Sequence, residues 1–146
     1  CRLLGPIVRD NPTAISEDEL KESVTTGGVT YLGSTRNVKE HLLDADCVVL
    51  PSYREGLARV LLEASATGRP VIATRVPGCQ DVVEDGITGL LCRPRDSQDL
   101  VEKMQMMLSF SVNERQRMGR CGRQRIEREF DERIVVGHYL QAIFNS

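Results

Sequence analysis

The sequence has no basic surplus: 19 lysines and arginines stand against 21 aspartates and glutamates in 146 residues, a net charge of −2 with the histidines neutral. A protein gripping nucleic acid by its phosphates needs a cationic face, and this composition does not favour one. Long apolar runs are missing too, the longest falling far short of the ~20 residues that cross a hydrocarbon core. No stretch reads as a secretory signal. The five cysteines, Cys1, Cys47, Cys79, Cys92 and Cys121, include no C-x-x-C pair, so they form neither a zinc ligand set nor a secreted disulfide framework. Cys47 and Cys92 lie in apolar, strand-like runs, where reduced thiols behave as small buried hydrophobes; a reducing compartment, the cytoplasm, is expected. Repeats, low-complexity tracts and linkers are absent as well. The remainder, 40% hydrophobic and 27% charged, describes one globular domain with a real core. Cys1 stands where a native chain would open on methionine, as expected of a piece cut from something longer.

What is present is an alternation of periods. Short β-rich or near-continuous apolar runs at 29–32, 47–51, 70–74 and 88–92 read as strands, the latter three of the kind covered on both faces. Helical patterns lie between them at 17–26, 38–44, 57–67 and, briefly, 79–84. Strand and helix in turn imply an α/β class: a Rossmann-like parallel sheet with right-handed crossovers and helices on both faces. After Pro94 only helices follow. Asp96 or Ser97 caps the first, whose Leu100, Met104, Met107 and Leu108 form a stripe expected to pack on the sheet; two more run over about 114–129 and 131–144. The arginines of the second, from Arg115 to Arg128, are diluted by Glu114, Glu127 and Glu129 and read as a solvated face.

The segment from Pro51 to Ala64 carries the chemistry. It places a strand end, a glycine turn and a helix start within a few residues. Ligands of open parallel sheets bind beyond the strands' carboxyl ends, where a helix start aims unpaired N–H groups and a positive dipole end at the crevice. The N–H groups of Gly56, Leu57 and Ala58 suit a phosphate or diphosphate, with Gly56 allowing close approach. Glu55 and Glu63 bracket that turn, up to ~12 Å apart if the whole interval is helical, and an ionised carboxylate accepts from two vicinal hydroxyls at once. A plainer reading is also open: Leu57, Val60, Leu61 and Ala64 form a buried stripe, and Arg59, four residues from each glutamate, pairs with both at the surface. The residues alone leave these two readings balanced.

The segment resembles the E-x7-E motif of the group-1 retaining glycosyltransferases of the GT-B fold, as Glu55-x7-Glu63. The similarity extends through residues 42–52, Gly68-Arg69-Pro70-Val71-Ile72-Ala73-Thr74 and Glu84-Asp85-Gly86-Ile87-Thr88-Gly89-Leu90-Leu91. Nearly the whole chain, residues 1–146, resembles the C-terminal, nucleotide-sugar-binding domain of that family. The resemblance implies that Glu55 is the catalytic residue, contacting the donor sugar's hydroxyls, that Gly56, Leu57 and Ala58 hold the diphosphate, and that Glu63 binds the ribose. It implies that Gly33, Ser34 and Thr35 touch the nucleobase. Ala58 stands where many relatives have proline and Asn37 where many have aspartate, although Asn37 retains the chemistry to cap the next helix. No cofactor or metal is implied: the donor, a nucleoside-diphosphate sugar and most simply a UDP-sugar, is the substrate, and a helix N-terminus with two basic side chains stabilises the leaving diphosphate. Asp44-Ala45-Asp46 spells the D-x-D of the other large glycosyltransferase fold, but closes a helix and opens a strand rather than holding a metal.

In relatives the clamping Arg and Lys lie on a first strand-helix unit upstream of the position of Cys1. The chain is therefore expected to lack that unit and the N-terminal acceptor domain, and to be inactive alone. The expected acceptor is a glycan or a lipid-linked glycan, on a cytoplasmic enzyme that touches the inner membrane face peripherally. The Gly5-Pro6 and Asn11 to Ile15 segment, with Tyr53-Arg54-Glu55-Gly56, resembles most the members that build lipid-linked or cell-surface glycans. Alternatives on the same scaffold are a sugar-nucleotide epimerase, a phosphorylase, or a binding module without transfer activity. His41 and His138 have no nucleophile or acid partner in sequence and are expected to be surface or packing residues.

Overall fold

The computed structural model describes residues 1–8 and 15–144, except for the side chains of Val135, His138 and Ala142. The expectations for residues 11–14 and for the His138 side chain lie outside the described residues. Two compact units divide the chain, Cys1–Val38 and Lys39–Ser146.

In the first unit, β1 (Arg2–Leu3) pairs in parallel with β2 (Thr30–Tyr31), joined through α1 (Glu17–Thr26). Helix α1 begins at a capping box: the Glu19 N–H donates to Ser16 Oγ and the Ser16 N–H to the Glu19 carboxylate at 2.8 Å. The Tyr31 hydroxyl donates to the Gly5 carbonyl at 2.8 Å. Strand β1 has no sequence signal, because two residues without an apolar run show no period.

The second unit holds most of α2 (Val38–Leu43), then β3 (Val48–Leu50), α3 (Arg59–Ala66), β4 (Val71–Thr74), α4 (Pro77–Gln80) and β5 (Gly89–Cys92). Helices α5 (Ser97–Ser109), α6 (Val112–Glu129) and α7 (Glu132–Phe144) complete it. The sheet order is β3-β4-β5, all parallel, with Val48 opposite Val71 and Val71 opposite Gly89. Parallel strands with flanking helices and a helical C-terminal extension make this the expected α/β, Rossmann-like architecture. Among the described residues the ladders form two sheets rather than one, the two-residue β2 pairing with β1.

Every residue of β4 and β5 is buried, as their unbroken apolar sequence requires. Ile72 and Leu90 pack with Met107 of α5 and Met118 of α6, with Cys47, Val49, Leu100, Met104 and Phe110 around them. The methionine stripe is thus core, although Leu108, 78% exposed, falls outside it because a helix touches the sheet along one narrow face. Asp96 caps α5, accepting from the Asp99 N–H at 2.9 Å. On α6 the arginine face is only partly solvated: Arg125 reaches the Asp81 carbonyl at 3.1 Å and the carboxylates of Glu84 and Glu129.

Candidate functional site

All three strands of the second sheet run the same way, so the segments after β3 (residues 51–58), β4 and β5 leave from one end. Two contacts tie them together. The Arg95 guanidinium lies 5.6 Å from the centre of the Tyr53 ring, joining the β3 and β5 loops. From the β4 side, Gly78 of α4 abuts the carbonyls of Glu55 and Gly56 so closely that a Cβ there would stand 2.6 and 2.4 Å from them.

The turn before α3 is built differently from the starts of α1, α5 and α6. Ser16, Asp96 and Ser111 cap α1, α5 and α6 with a side-chain oxygen, and each of those helices has an acidic residue in its first turn. Helix α3 starts at Ala58, which offers no side-chain cap, and has no acid in its first turn. Among the described residues the N–H groups of Gly56, Leu57 and Ala58 have no acceptor; the Arg59 N–H folds back on the Leu57 carbonyl at 2.9 Å. An uncapped positive end and three unspent donors are the features an anion needs.

The structure revises the expected helix here. It begins at Arg59, not Leu57, so Gly56, Leu57 and Ala58 belong to the turn. Leu57 is 49% exposed, and Ala58, fully buried, takes its place beside Leu61 and Ala64 in the stripe. The interval from Glu55 to Glu63 is consequently part loop and only four helical steps, about 6 Å of rise, so the ~12 Å helical span does not apply. Helix α4 likewise covers Pro77–Gln80 rather than 79–84, because Pro77, with its preset φ, opens it.

Glu55 is half-buried and Glu63 exposed. Neither carboxylate has a hydrogen bond or ion pair among the described residues, and Arg59 bridges to neither. The surface-pair reading of the two glutamates is thereby removed. On the strand ends nearby in the chain, Arg75 pairs with Asp85, and Arg93 with Asp96 at 3.0 Å and Asp99 at 3.5 Å. Cys79 is fully buried under the loop; burial, then the charge of Glu55, pushes its thiol up to about 11, so it stays neutral.

Gly33, Ser34 and Thr35 lie in the first unit. Gly33 takes φ +72° and its carbonyl accepts from the Gly5 N–H at 2.9 Å, while Thr35 Oγ1 accepts from the Asn37 N–H at 3.0 Å. Asp44 and Asp46 lie between α2 and β3, at the amino end of β3, the opposite end of the sheet from Glu55. Among the described residues no group of three or more His, Cys, Asp or Glu side chains is placed to hold a metal ion. Sequence reasoning missed Gly78 and the Tyr53–Arg95 pair; the Pro77-Gly78 step after an apolar strand was the available signal for the first, and the second had none.

The family model described as Glycosyl transferases group 1 matches residues 5–109, which include every strand from β2 to β5 and the whole Glu55–Glu63 segment. The chain belongs to the group 1 glycosyl transferases. This group 1 domain is 30% identical over 133 residues to the N,N'-diacetylbacillosaminyl-diphospho-undecaprenol alpha-1,3-N-acetylgalactosaminyltransferase of Campylobacter jejuni, covering 90% of this chain and 34% of that protein. Its structure superposes on sucrose-phosphate synthase from Thermosynechococcus elongatus with a TM-score of 0.82 and 27% identity, over 99% of this chain and 38% of that one. The C-terminal domain of a glycosyl transferase group 1 family protein from Francisella tularensis gives a TM-score of 0.69 and 25% identity, covering 77% of this chain and 61% of that one. The chain spans about a third of the length of the curated relatives it matches.

Proposed function

We propose that this chain is the C-terminal, donor-binding lobe of a retaining glycosyltransferase that takes a sugar from a nucleoside diphosphate, UDP in the simplest case. In this reading Glu55 accepts hydrogen bonds from the donor sugar's hydroxyls and is the catalytic residue. The N–H groups of Gly56, Leu57 and Ala58 hold the diphosphate, Glu63 the ribose, and Gly33, Ser34 and Thr35 the base. The observation that carries it is the pair of unpartnered carboxylates flanking the uncapped start of α3, at the carboxyl end of a parallel sheet. Transfer breaks the anomeric bond to the diphosphate, and the negative charge that grows on the departing oxygens meets three N–H donors and a helix dipole without needing a metal. The acceptor, a glycan or lipid-linked glycan, would be held by a second, N-terminal lobe. The name of the Campylobacter jejuni relative, an N-acetylgalactosaminyltransferase of a diphospho-undecaprenol-linked sugar, supports that class. The likeness to an isolated C-terminal domain supports the placing of this chain within the enzyme. We place the enzyme in the cytoplasm, peripheral to the membrane, on the strength of five free thiols and of the acceptor class; among the described residues no helix is long and apolar enough to cross a membrane.

Thermal denaturation with UDP tests the reading. At a hundredfold excess over Kd, UDP should stabilise the fold by about 2.7 kcal/mol. Glu63→Gln should weaken UDP binding roughly tenfold, the loss of one charge-assisted hydrogen bond. Glu55→Gln should leave UDP binding intact while reducing the advantage of a UDP-sugar over UDP. No shift of the wild-type chain at millimolar UDP would refute the proposal.

A further inference from the structure

We propose that Gly78 is a positioning residue for donor binding: its lack of a side chain seats the Glu55–Gly56 backbone on the first turn of α4, and that seat sets where the Glu55 carboxylate and Gly56 N–H meet the donor. The inference rests on the donor-site reading above and adds a residue outside the motif to it.

Three backbone atoms surround the missing Cβ. It would stand 2.4 Å from the Gly56 carbonyl oxygen, 2.6 Å from the Glu55 carbonyl oxygen and 2.7 Å from the Gly56 carbonyl carbon, all under the 3.0 Å that real contacts respect. No rotamer relieves a clash of Cβ with backbone, so either α4 or the loop must move.

The structure indicates which one yields. Helix α4 is pinned from below. Pro77 presets its first φ, Gly78 and Cys79 are buried, and Val82 and Val83 just beyond it are 1% and 3% exposed. Its turn is closed by the Cys79 and Gln80 N–H groups on the Val76 carbonyl, at 3.0 and 2.9 Å, and by the Asp81 N–H on the Pro77 carbonyl at 3.0 Å. The loop is held at its ends, by the Tyr53 ring against Arg95 and by the Ala58 carbonyl accepting from the Leu61 and Leu62 N–H groups, and is freer between them. The N–H groups of Gly56, Leu57 and Ala58 have no acceptor among the described residues, and a Cβ built on Gly56 meets nothing within 4 Å, so there is open space beside it. A methyl at position 78 therefore lifts the loop, by about 0.6 Å to restore 3.0 Å from the Gly56 carbonyl. Sites that bind through fixed donors tolerate only ~0.5 Å of such error.

The test compares Gly78→Ala with Gly119→Ala in the full chain. Gly119 is an equally tight glycine, its missing Cβ 1.9 Å from the Gly68 carbonyl, but the atoms nearest that Cβ belong to Gly68 and Arg69, in the turn after α3 rather than in the loop. Both substitutions should lower thermal stability. Measured by titration calorimetry per folded molecule, Gly78→Ala should weaken UDP binding roughly tenfold, as a displacement of half an ångström does to fixed contacts. Gly119→Ala should leave it within about twofold, as for a site without shared partners. UDP binding by Gly78→Ala equal to wild type overturns the inference, whereas a wild type that binds no UDP overturns the donor reading instead. Should Gly78→Ala not fold, hydrogen exchange of the wild type decides. Saturating UDP must slow the Gln80 and Asp81 amides, because pinning the loop pins its seat, and unchanged rates would overturn the inference.

Discussion

Gly119 and Gly122 lie one turn apart on α6, both buried, yet alanine should have opposite effects at the two positions. A Cβ on Gly119 would approach the Gly68 carbonyl oxygen to 1.9 Å and its carbon to 2.7 Å, so the oxygen alone would be about 1.1 Å inside the 3.0 Å limit. Gly68 cannot step back freely: it turns the chain at φ +73° and its N–H is bonded to the Ser65 carbonyl at 2.9 Å. A Cβ on Gly122 meets nothing nearer than Ser65 Cβ and Oγ at 3.5 Å, an ordinary contact. Alanine inside a helix gains about 1 kcal/mol over glycine. Overpacking costs about 1–3 kcal/mol, with the upper end expected where the obstacle is backbone. Gly119→Ala should therefore lose roughly 1–2 kcal/mol net, while Gly122→Ala should gain up to about 1 kcal/mol. At about 2–4 °C per kcal/mol for a chain of this size, the two melting temperatures should differ by several degrees. Scanning calorimetry reads the difference, and urea unfolding at unchanged m confirms that it arises in the folded state. A Gly119→Ala protein as stable as Gly122→Ala would refute the close approach of α6 to the Gly68 turn.

Three further outcomes are expected. Leu61→Ala, at a fully buried site of α3, should cost about 2–5 kcal/mol, seen as a lower urea midpoint. Acid should destabilise the fold through Asp99, whose carboxylate accepts the Arg93 N–H at 2.6 Å and is held below its ordinary range chiefly by that bond, and through Asp131, lowered to about 2 by Arg133. Both folded values lie below the unfolded one near 3.8, so the contribution is complete above about pH 4 and is lost as pH falls toward 2. Urea midpoints taken down that range should fall, less steeply in Asp99→Asn, and a flat wild-type profile would contradict the assignment. Burial pushes the thiols of Cys47 and Cys79 up to about 12 and about 11, and that of Cys92 upward as well. A disulfide reagent at neutral pH should consequently label exposed Cys1 first, and these three only on unfolding.

The elements with a strong period were legible in the chain. Helix α1 occupies the expected 17–26, and β3, β4 and β5 lie within their apolar runs; β4 and β5, covered on both faces, write their burial directly into sequence, whereas β3, expected to be covered likewise, is only half-buried because it pairs with β4 on one side. Boundaries set by single residues were less so. The start of α3 moved two residues because Ala58 neither caps nor blocks a helix, and α4 moved because Pro77 outweighed the apolar pattern after it. The proposed site is named from a motif, Glu55, Gly56 and Glu63 coming from spacing and resemblance.

By itself the sequence determined the alternation of strand and helix, the buried methionine stripe of α5 apart from Leu108, and the glutamates that frame a glycine turn. Only the tertiary structure decided that Arg59 bridges neither glutamate, that Arg125 spans from α6 to the Asp81 carbonyl, and that the Glu55–Gly56 backbone rests on Gly78. Periodicity is a property of neighbours along the chain, so it survives in one dimension. A contact between the segments after β3 and β4 depends on how two loops leave the same end of a sheet, and no spacing of residues encodes that distance.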